Sequence, residues 1–421
     1  MYVDLSSNKF VGPFPKSCWN LTRLKSLNVA SNDMNSSLAI WLSGLSSSSS
    51  SLVSLDLSFN SLQGLLPCSN QNLTALRYLY LTGCELNSTI ISSGFLNDLV
   101  RLEYLFLDNN NIELSAIQNL KSLVQLELSQ NSLKGEMPTF MGNLVSLVYL
   151  DLSFNSLEGE IPTSLGNLCN LSDLSLGGNK FGGKVSNAFD SLLSVGCLSN
   201  SLTSLDLSEN SFTAIPKWMG TSLLNLTILI LRSNNLSGHI PLELCSLTAL
   251  QILDVADNNL SGTMPKCFDN LKAMTIKQVL KDVISYSNFV GYFFEQVMVV
   301  TRGREDQYDT ILPLVNSLDL SSNKLIGEIP RQLTTLQGLI SLNLSGNFLK
   351  GRIPDSIGNM VWLESLDLSR NRLSGKIPLS TQLQSFDASS FIGNELCGQP
   401  LSTSVTKTSQ THYQQWSTEG R

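Results

Sequence analysis

Leucine recurs along the chain in a fixed spacing, with mostly polar residues between the leucines. One copy of the pattern Leu-x-x-Leu-x-Leu-x-x-Asn runs from Leu52 to Asn60, and another runs from Leu147 to Asn155. Most successive copies lie about 24 residues apart, so the chain is built from one repeated unit. The closing position of the fourteen units carries Asn8, Asn32, Asn60, Cys84, Asn110, Asn131, Asn155, Asn179, Asn210, Asn234, Asn258, Asn323, Asn347 and Asn371.

The pattern predicts one short strand per unit, because two inward leucines flank a single exposed residue. One unit cannot bury its leucines alone, whereas stacked units bury them against each other. Strands about 4.8 Å apart would form a parallel sheet roughly 65 Å long. The asparagine amide would satisfy backbone groups of adjacent coils. We therefore predict an α/β repeat solenoid, mostly β, with a parallel sheet on its concave face and an irregular or 3-10 convex side.

One interval breaks the period. Asn258 and Asn323 are separated by more than two and a half repeat lengths instead of one. We expect an inserted segment, which we call the island, to leave the solenoid after Pro265 and return near Ile311. Within it, residues 297–305 predict a strand followed by a basic turn. The expected organisation is repeats 1–11 over 1–265, the island over 266–311, repeats 12–14 over 312–378, a C-terminal cap remnant over 379–398 and a polar disordered tail over 399–421.

The repeat endings carry a resemblance to a known class. Gly159-Glu160-Ile161-Pro162 and similar Leu-x-Gly-x-Ile-Pro endings resemble the plant-specific, extracellular leucine-rich repeat. The sequences of the island and of the closing segment, Phe386 to Gly398, resemble those of plant receptor-like proteins. The resemblance is greatest to defence receptors of the fungal-xylanase-receptor group. The resemblance implies an ectodomain that binds a protein, peptide or glycan ligand and signals through a co-receptor kinase ectodomain. It also implies glycosylation and the extracellular, apoplastic face of the plasma membrane.

The chain departs from that family at both ends. It begins inside a strand at Tyr2, without a signal peptide or cysteine-paired cap, and Gly398 to Arg421 contains no membrane helix. We therefore expect a partial or degenerate member, attached to a membrane only through a helix absent from this chain.

Composition excludes several other functions. With 27 basic and 34 acidic residues the formal charge is −7, which argues against nucleic-acid binding. His239 and His412 are the only histidines, and no phosphate-binding glycine loop or zinc-type cysteine spacing occurs. We expect a binding module that is not an enzyme and needs no cofactor or metal.

Two cysteine pairs are disulfide candidates. Cys245 and Cys267 are separated by slightly less than one repeat, and therefore nearly stacked on adjacent coils, where they form either a disulfide or two inert thiols. Cys169 and Cys197 flank one repeat and leave the same two alternatives.

Exposed aromatic residues suggest a ligand surface. At outward strand positions they occur only in the first seven repeats, and Tyr78, Tyr80, Tyr104 and Phe106 fall on neighbouring strands, with Tyr149 nearby. They form a candidate binding platform flanked by acidic residues. The alternative is that aromatic residues favour strands and only pack on one another.

Two further sites follow from the island and the last repeats. Arg302, Arg304 and Tyr308 are candidate ligand contacts, unless the island is only a solvated surface loop. The resemblance makes Ser341, Asn343, Ser365 and Arg370 candidate co-receptor contacts.

Two alternative functions stay open at this level. One is a soluble apoplastic inhibitor of a secreted microbial enzyme, similar to polygalacturonase-inhibiting proteins, although those have fewer repeats and no island. The other is a non-functional truncated paralogue.

Overall fold

A computed structural model describes residues 1–12, 23–35, 51–62, 73–86, 96, 99–183, 201–276, 297–301, 304–308 and 315–401. Short strands dominate this part of the chain, with 3-10 helices between them. The strands are β1 Tyr2–Asp4, β2 Ser26–Asn28, β3 Ser54–Asp56, β4 Tyr78–Tyr80, β5 Tyr104–Phe106, β6 Gln125–Glu127, β7 Lys134–Glu136, β8 Tyr149–Asp151, β9 Ser156–Gly159, β10 Asp173–Ser175, β11 Lys180–Gly183, β12 Ser204–Asp206, β13 Ser211–Phe212, β14 Ile228–Ile230, β15 Ser237–His239, β16 Ile252–Asp254, β17 Asn259–Thr263, β18 Val297–Thr301, β19 Arg304–Tyr308, β20 Ser317–Asp319, β21 Lys324–Gly327, β22 Ser341–Asn343, β23 Phe348–Gly351, β24 Ser365–Asp367, β25 Arg372–Lys376 and β26 Glu395–Cys397.

The predicted concave sheet is confirmed. Fourteen parallel strands follow one another in the order β1-β2-β3-β4-β5-β6-β8-β10-β12-β14-β16-β20-β22-β24, one strand per repeat. Neighbouring strands keep the same register, so that Leu55 pairs with Leu79 and Leu79 with Leu105. These central leucines are fully buried, whereas the residue on either side faces the concave surface. The structure is therefore the predicted α/β solenoid.

The asparagines have the inward role that the sequence predicts. Nδ2 of Asn258 donates to the carbonyls of Leu231 (3.0 Å), Val255 (3.2 Å) and Ala256 (2.9 Å). Its Oδ1 accepts the amide of Leu236 at 3.0 Å. Each such amide satisfies backbone groups of adjacent coils.

Cys84 fills the same place with fewer contacts. Its buried Sγ reaches the carbonyls of Leu57 at 3.2 Å and Thr82 at 3.7 Å. Burial raises the pKa of its thiol to about 12, so it stays protonated as a weak donor.

The other side of the solenoid contains two further sheets and short helices. The lateral sheets have the orders β13-β11-β9-β7 and β15-β17-β21-β23-β25-β26. The helices are α1 Trp218–Ser222, α2 Thr381–Gln384 and the 3-10 helices Leu114–Ile117, Thr139–Asn143, Thr163–Asn167, Leu242–Ser246, Lys266–Asn270, Lys272–Thr275, Arg331–Thr335, Asp355–Asn359 and Ala388–Phe391. In the Leu-x-Gly-x-Ile-Pro ending, Gly159 has a φ of 81° and Pro162 directly precedes the helix Thr163–Asn167. Glycine is suited to this backbone because it lacks a Cβ.

The coil before the island extends further than the sequence pattern predicts. Lys266–Asn270 and Lys272–Thr275 complete the coil, and the amide of Gly338 in the next coil donates to the carbonyl of Met274 at 2.9 Å. The coil therefore continues past Pro265 to Ile276, and residues 277–296 lie outside the described ranges. Beyond it, β18 and β19 form an antiparallel hairpin in which Val297 pairs with Tyr308. The expected return near Ile311 lies outside the described residues.

The segment expected as a cap remnant continues the array. Asn394 donates to the carbonyl of Leu368 at 2.9 Å and accepts the amide of Leu373 at 2.9 Å, as the repeat asparagines do. β26 pairs with β25, and Phe391 is fully buried. Residues 402–421, most of the expected disordered tail, lie outside the described ranges. Among the described residues, no helix has the length and apolarity needed to cross a membrane.

A disulfide joins Cys245 to Cys267, with 5.8 Å between their Cα atoms. It links the 3-10 helices Leu242–Ser246 and Lys266–Asn270 of adjacent coils. Cys169 is also disulfide-bonded. Cys197 lies outside the described residues, so its pairing with Cys169 stays a prediction.

Candidate ligand-binding face

Two stacked pairs of rings lie on the concave face of β4 and β5. Tyr78 and Tyr104 are register partners, as are Tyr80 and Phe106. The ring centroids are 4.6 Å apart in the first pair and 4.5 Å in the second, with interplanar angles of 13° and 18°. We call these four residues the aromatic platform. Stacking on adjacent strands holds the rings in place before any ligand binds.

An ion pair borders the platform on one side. Nε of Arg77 donates to Oε1 of Glu103 at 2.7 Å, and its guanidinium lies 5.7 Å from the centroid of the Tyr78 ring. Arg77 and Glu103 are the residues directly before β4 and β5, so the repeat register places them together. This pairing neutralises the charge at that border.

Acidic side chains border the platform on the other side. Burial, followed by the neighbouring Asp108, raises the pKa of Glu127 to about 8. Asp108 accepts the amide of Ser129 at 2.9 Å and its hydroxyl at 3.1 Å, and burial raises the pKa of its carboxyl as well. Burial also raises the pKa of Asp151 to about 6. These half-buried carboxyls therefore take up protons readily at mildly acidic pH, where they can donate hydrogen bonds.

The residues that the sequence predicts for the platform thus lie together, except for Tyr149. Tyr149 lies two strands beyond Tyr104, because Gln125 pairs with both of them. Burial, followed by Asp151, raises the pKa of Tyr149, so this tyrosine belongs with the acidic border. Arg302 lies outside the described residues, and only the backbone of Arg304 and Tyr308 is described, in β19. Ligand contacts by these three island residues stay a prediction.

The concave face of the later coils contains an apolar cluster that the sequence pattern did not reveal. Ile228, Ile230, Ile252 and Val315 form a buried hydrophobic group separate from the main core. The first three occupy outward strand positions, where other coils carry polar or aromatic residues. Three isoleucines in that position were an available signal for a covered surface.

An arginine next to this cluster connects the strands on the two sides of the insertion. Nε of Arg232 donates to Asp254 at 2.8 Å, and its Nη2 donates to Asp319 at 3.0 Å. Burial, followed by the charge of Asp319, raises the pKa of Asp254 to about 7. The three side chains are largely buried, so this network serves structure more than contact with solvent.

The four co-receptor candidates differ in accessibility. Ser341 is only 2% exposed, and the side-chain amide of Asn343 donates to Asp319 at 3.2 Å. Ser365 is half-buried. Arg370 is exposed and has a left-handed backbone with φ 52°. Of the four, Arg370 alone offers a largely open side chain to a partner.

Comparison with known proteins finds leucine-rich repeat matches and plant relatives. A leucine rich repeat family model matches residues 200–260 and 313–373, and a second model of the same description matches 51–73 and 146–168. Receptor-like protein EIX2 from Solanum lycopersicum is 48% identical over 232 residues, which are 48% of this chain and 23% of that protein. The chain is a leucine-rich repeat protein that is similar to the plant receptor-like proteins over these residues. It spans about a quarter of the length of this relative.

Two solved structures of plant receptors are similar to this chain along most of its length. The TDR receptor has a TM-score of 0.69 and 28% identity, over 93% of this chain and 59% of that one. The plant peptide hormone receptor RGFR1, in complex with RGF2, has a TM-score of 0.66 and 26% identity, over 94% and 59%. Among the residues that the structure describes, no group of three histidine, cysteine or acidic side chains could hold a metal ion.

Proposed function

We propose that this chain is the ligand-recognition ectodomain of a plant cell-surface receptor-like protein, on the extracellular, apoplastic face of the plasma membrane. The observation that carries the proposal is the aromatic platform, in which four rings stack in two pairs and remain partly accessible. Exposed aromatic clusters mark contact surfaces, because they bury a large area with little loss of side-chain entropy. A peptide is the favoured ligand, since the structural neighbour RGFR1 is a peptide hormone receptor.

The acidic border gives this surface a second kind of contact. Glu127, Asp108 and Asp151 surround one side of the rings and have raised pKa values. Together they suit a peptide that places apolar side chains on the rings and amide or basic donors on the carboxyls. We assign the receptor to defence signalling because the sequence of its closing segment, Phe386 to Gly398, resembles that of defence receptors.

Removing two rings tests the proposal. The full chain would be used to select binders from a phage-displayed library of random 12-residue peptides, in parallel with an array of plant and microbial glycans. We expect the Tyr80→Ala/Tyr104→Ala variant to bind the selected peptides at least tenfold more weakly, because two aromatic contacts with the peptide are lost. A tenfold loss of affinity corresponds to about 1.4 kcal/mol of binding free energy. Calorimetry would measure the affinity.

A matched variant separates contact from folding. Ser204→Ala changes an outward position of β12, outside the platform, and should leave the affinity within twofold. Unchanged affinity in the Tyr80→Ala/Tyr104→Ala variant would contradict the proposal. Selective binding on the glycan array would show that the ligand is a sugar and not a peptide.

The last coils are proposed to bind the co-receptor kinase ectodomain. On the lateral sheet, Ile326 and Phe348 are register partners that are 50% and 42% exposed. The Arg372 guanidinium lies 4.8 Å from the centroid of the Phe348 ring. An exposed aromatic ring stacked with arginine is typical of interface hot spots.

Substitution of these side chains tests the docking surface. We expect Phe348→Ala combined with Arg370→Ala to weaken binding to a panel of plant co-receptor kinase ectodomains by about tenfold, because an aromatic anchor and a charge are lost. Interferometry on immobilised full chain would measure it. Lys134→Ala, on the lateral strand β7, is the control, and equal binding by both variants would place the co-receptor elsewhere.

A further inference from the structure

One backbone position is left-handed in coil after coil. It is the residue directly before the inward asparagine or Cys84, and its φ lies between 48° and 72° throughout the described coils. Glycine or a short polar residue usually fills it: Ser7, Ser31, Gly83, Asn109, Gly178, Ser233, Asp257, Ser322, Gly346 and Gly393. Glycine, asparagine and aspartate tolerate this conformation best, whereas a bulky side chain is strained there.

Two coils place phenylalanine at this position. Phe59 has φ 53° and Phe154 has φ 51°. Burial does not offset the strain, because the two residues are 55% and 53% exposed. An apolar ring that is both strained and exposed contributes little to folding, and such residues cluster at binding sites.

Each ring is nevertheless held in place by the coil that follows. A Cβ added to Gly83 would lie 2.8 Å from Cδ1 of Phe59, and one added to Gly178 would lie 2.6 Å from Cδ1 of Phe154. The rings therefore occupy space that is open only because these two residues are glycines. This arrangement fixes the orientation of each exposed ring before any ligand arrives.

The two rings bracket the aromatic platform. Phe59 follows β3 and Phe154 follows β8, and the platform strands β4 and β5 lie between them in the sheet. The order β3-β4-β5-β6-β8 contains four strand spacings, or about 19 Å at roughly 4.8 Å each. That span matches about six residues of an extended chain at roughly 3.3 Å per residue.

We propose that Phe59 and Phe154 are ligand contacts at the two ends of one binding face. The ligand is an extended peptide of at least six residues that carries an apolar side chain near each end and lies across coils 3 to 7. This inference rests on the proposed peptide-receptor function and adds two aromatic contacts to the four of the aromatic platform.

Replacement by serine tests the two rings. Serine occupies the same position in other coils, at Ser7, Ser31, Ser233 and Ser322, so Phe59→Ser/Phe154→Ser relieves strain and should leave the thermal unfolding midpoint unchanged or higher. The probes are the 12-residue peptides selected from the phage-displayed library on the unmodified full chain. We expect their affinity for the serine variant to fall about tenfold, and that for Phe59→Tyr/Phe154→Tyr to stay within twofold.

Controls separate this inference from the proposed function. Glu209→Ser changes the same position in a coil outside the footprint and should leave the affinity unchanged. If the Tyr80→Ala/Tyr104→Ala variant loses binding but the serine variant does not, the receptor function stands and the role of the two phenylalanines is overturned. A serine variant with a lower unfolding midpoint would identify the rings as structural, which also overturns it. Selected peptides shortened to four residues should bind at least tenfold more weakly. Equal binding would show that the peptide does not span the strands from β3 to β8.

Discussion

Replacing Asn258 with alanine is expected to lower the free energy of unfolding by about 4 kcal/mol. The change removes a donor from three buried carbonyls, those of Leu231, Val255 and Ala256, and an acceptor from the Leu236 amide. An unpaired buried polar group costs about 1–3 kcal/mol, and partial relaxation keeps the total below the sum of four such groups. Urea unfolding followed by tryptophan fluorescence would measure the loss.

The adjacent residue provides the control. Asn259 is exposed, so Asn259→Ala should change stability by less than about 0.5 kcal/mol. Similar losses in the two variants would show that the inward asparagine is not what holds neighbouring coils together.

The protein is expected to be more stable at pH 5 than at pH 8, by several kcal/mol. The pKa values of Glu127, Asp254 and Asp151 are raised to about 8, 7 and 6, chiefly by burial. The folded state therefore binds protons that the unfolded state releases near pH 4. The resulting stability is fully present below about pH 4 and is lost as the pH rises from 6 through 8.

Thermal unfolding across this range would measure the effect. The Glu127→Gln variant should show a smaller drop between pH 6 and pH 8, because it cannot lose a proton. Asp257→Asn, at an exposed position, is the matched control. A midpoint that rises with pH in the unmodified protein would contradict the expectation.

The sequence predicts most of the fold because each coil encodes its own geometry. Leucine spacing alone identifies the strand positions, and Asn258 or Cys84 can be assigned an inward role without knowledge of neighbouring coils. Stacking at a constant register then gives the sheet, since Leu79 pairs with Leu55 and Leu105. The platform followed for the same reason, as Tyr78 and Tyr104 share one place in the repeat.

Features that depend on residues far apart in the sequence were harder to predict from it. Ser341 was assigned to the exposed face by register, yet it is buried. The asparagine spacing does not locate the end of the coil that contains Asn258. Leu271 and Met274 follow Leu247 and Leu250 by one full repeat each, and that spacing shows that the coil continues past Pro265. Backbone strain at Phe59 leaves no trace in a hydrophobic pattern, since φ is not encoded in polarity.

The direct pairing of β16 with β20 has a consequence for how such repeat arrays diversify. Leu253 pairs with Leu318 in the register of every other pair, and Arg232 bridges Asp254 and Asp319 as it would bridge consecutive coils. The pairing of β16 with β20 therefore does not depend on how many residues separate the two strands in the sequence. A lineage can lengthen, shorten or exchange that segment by recombination while inheriting the flanking sheet intact, so new surfaces arise here without any change to the scaffold.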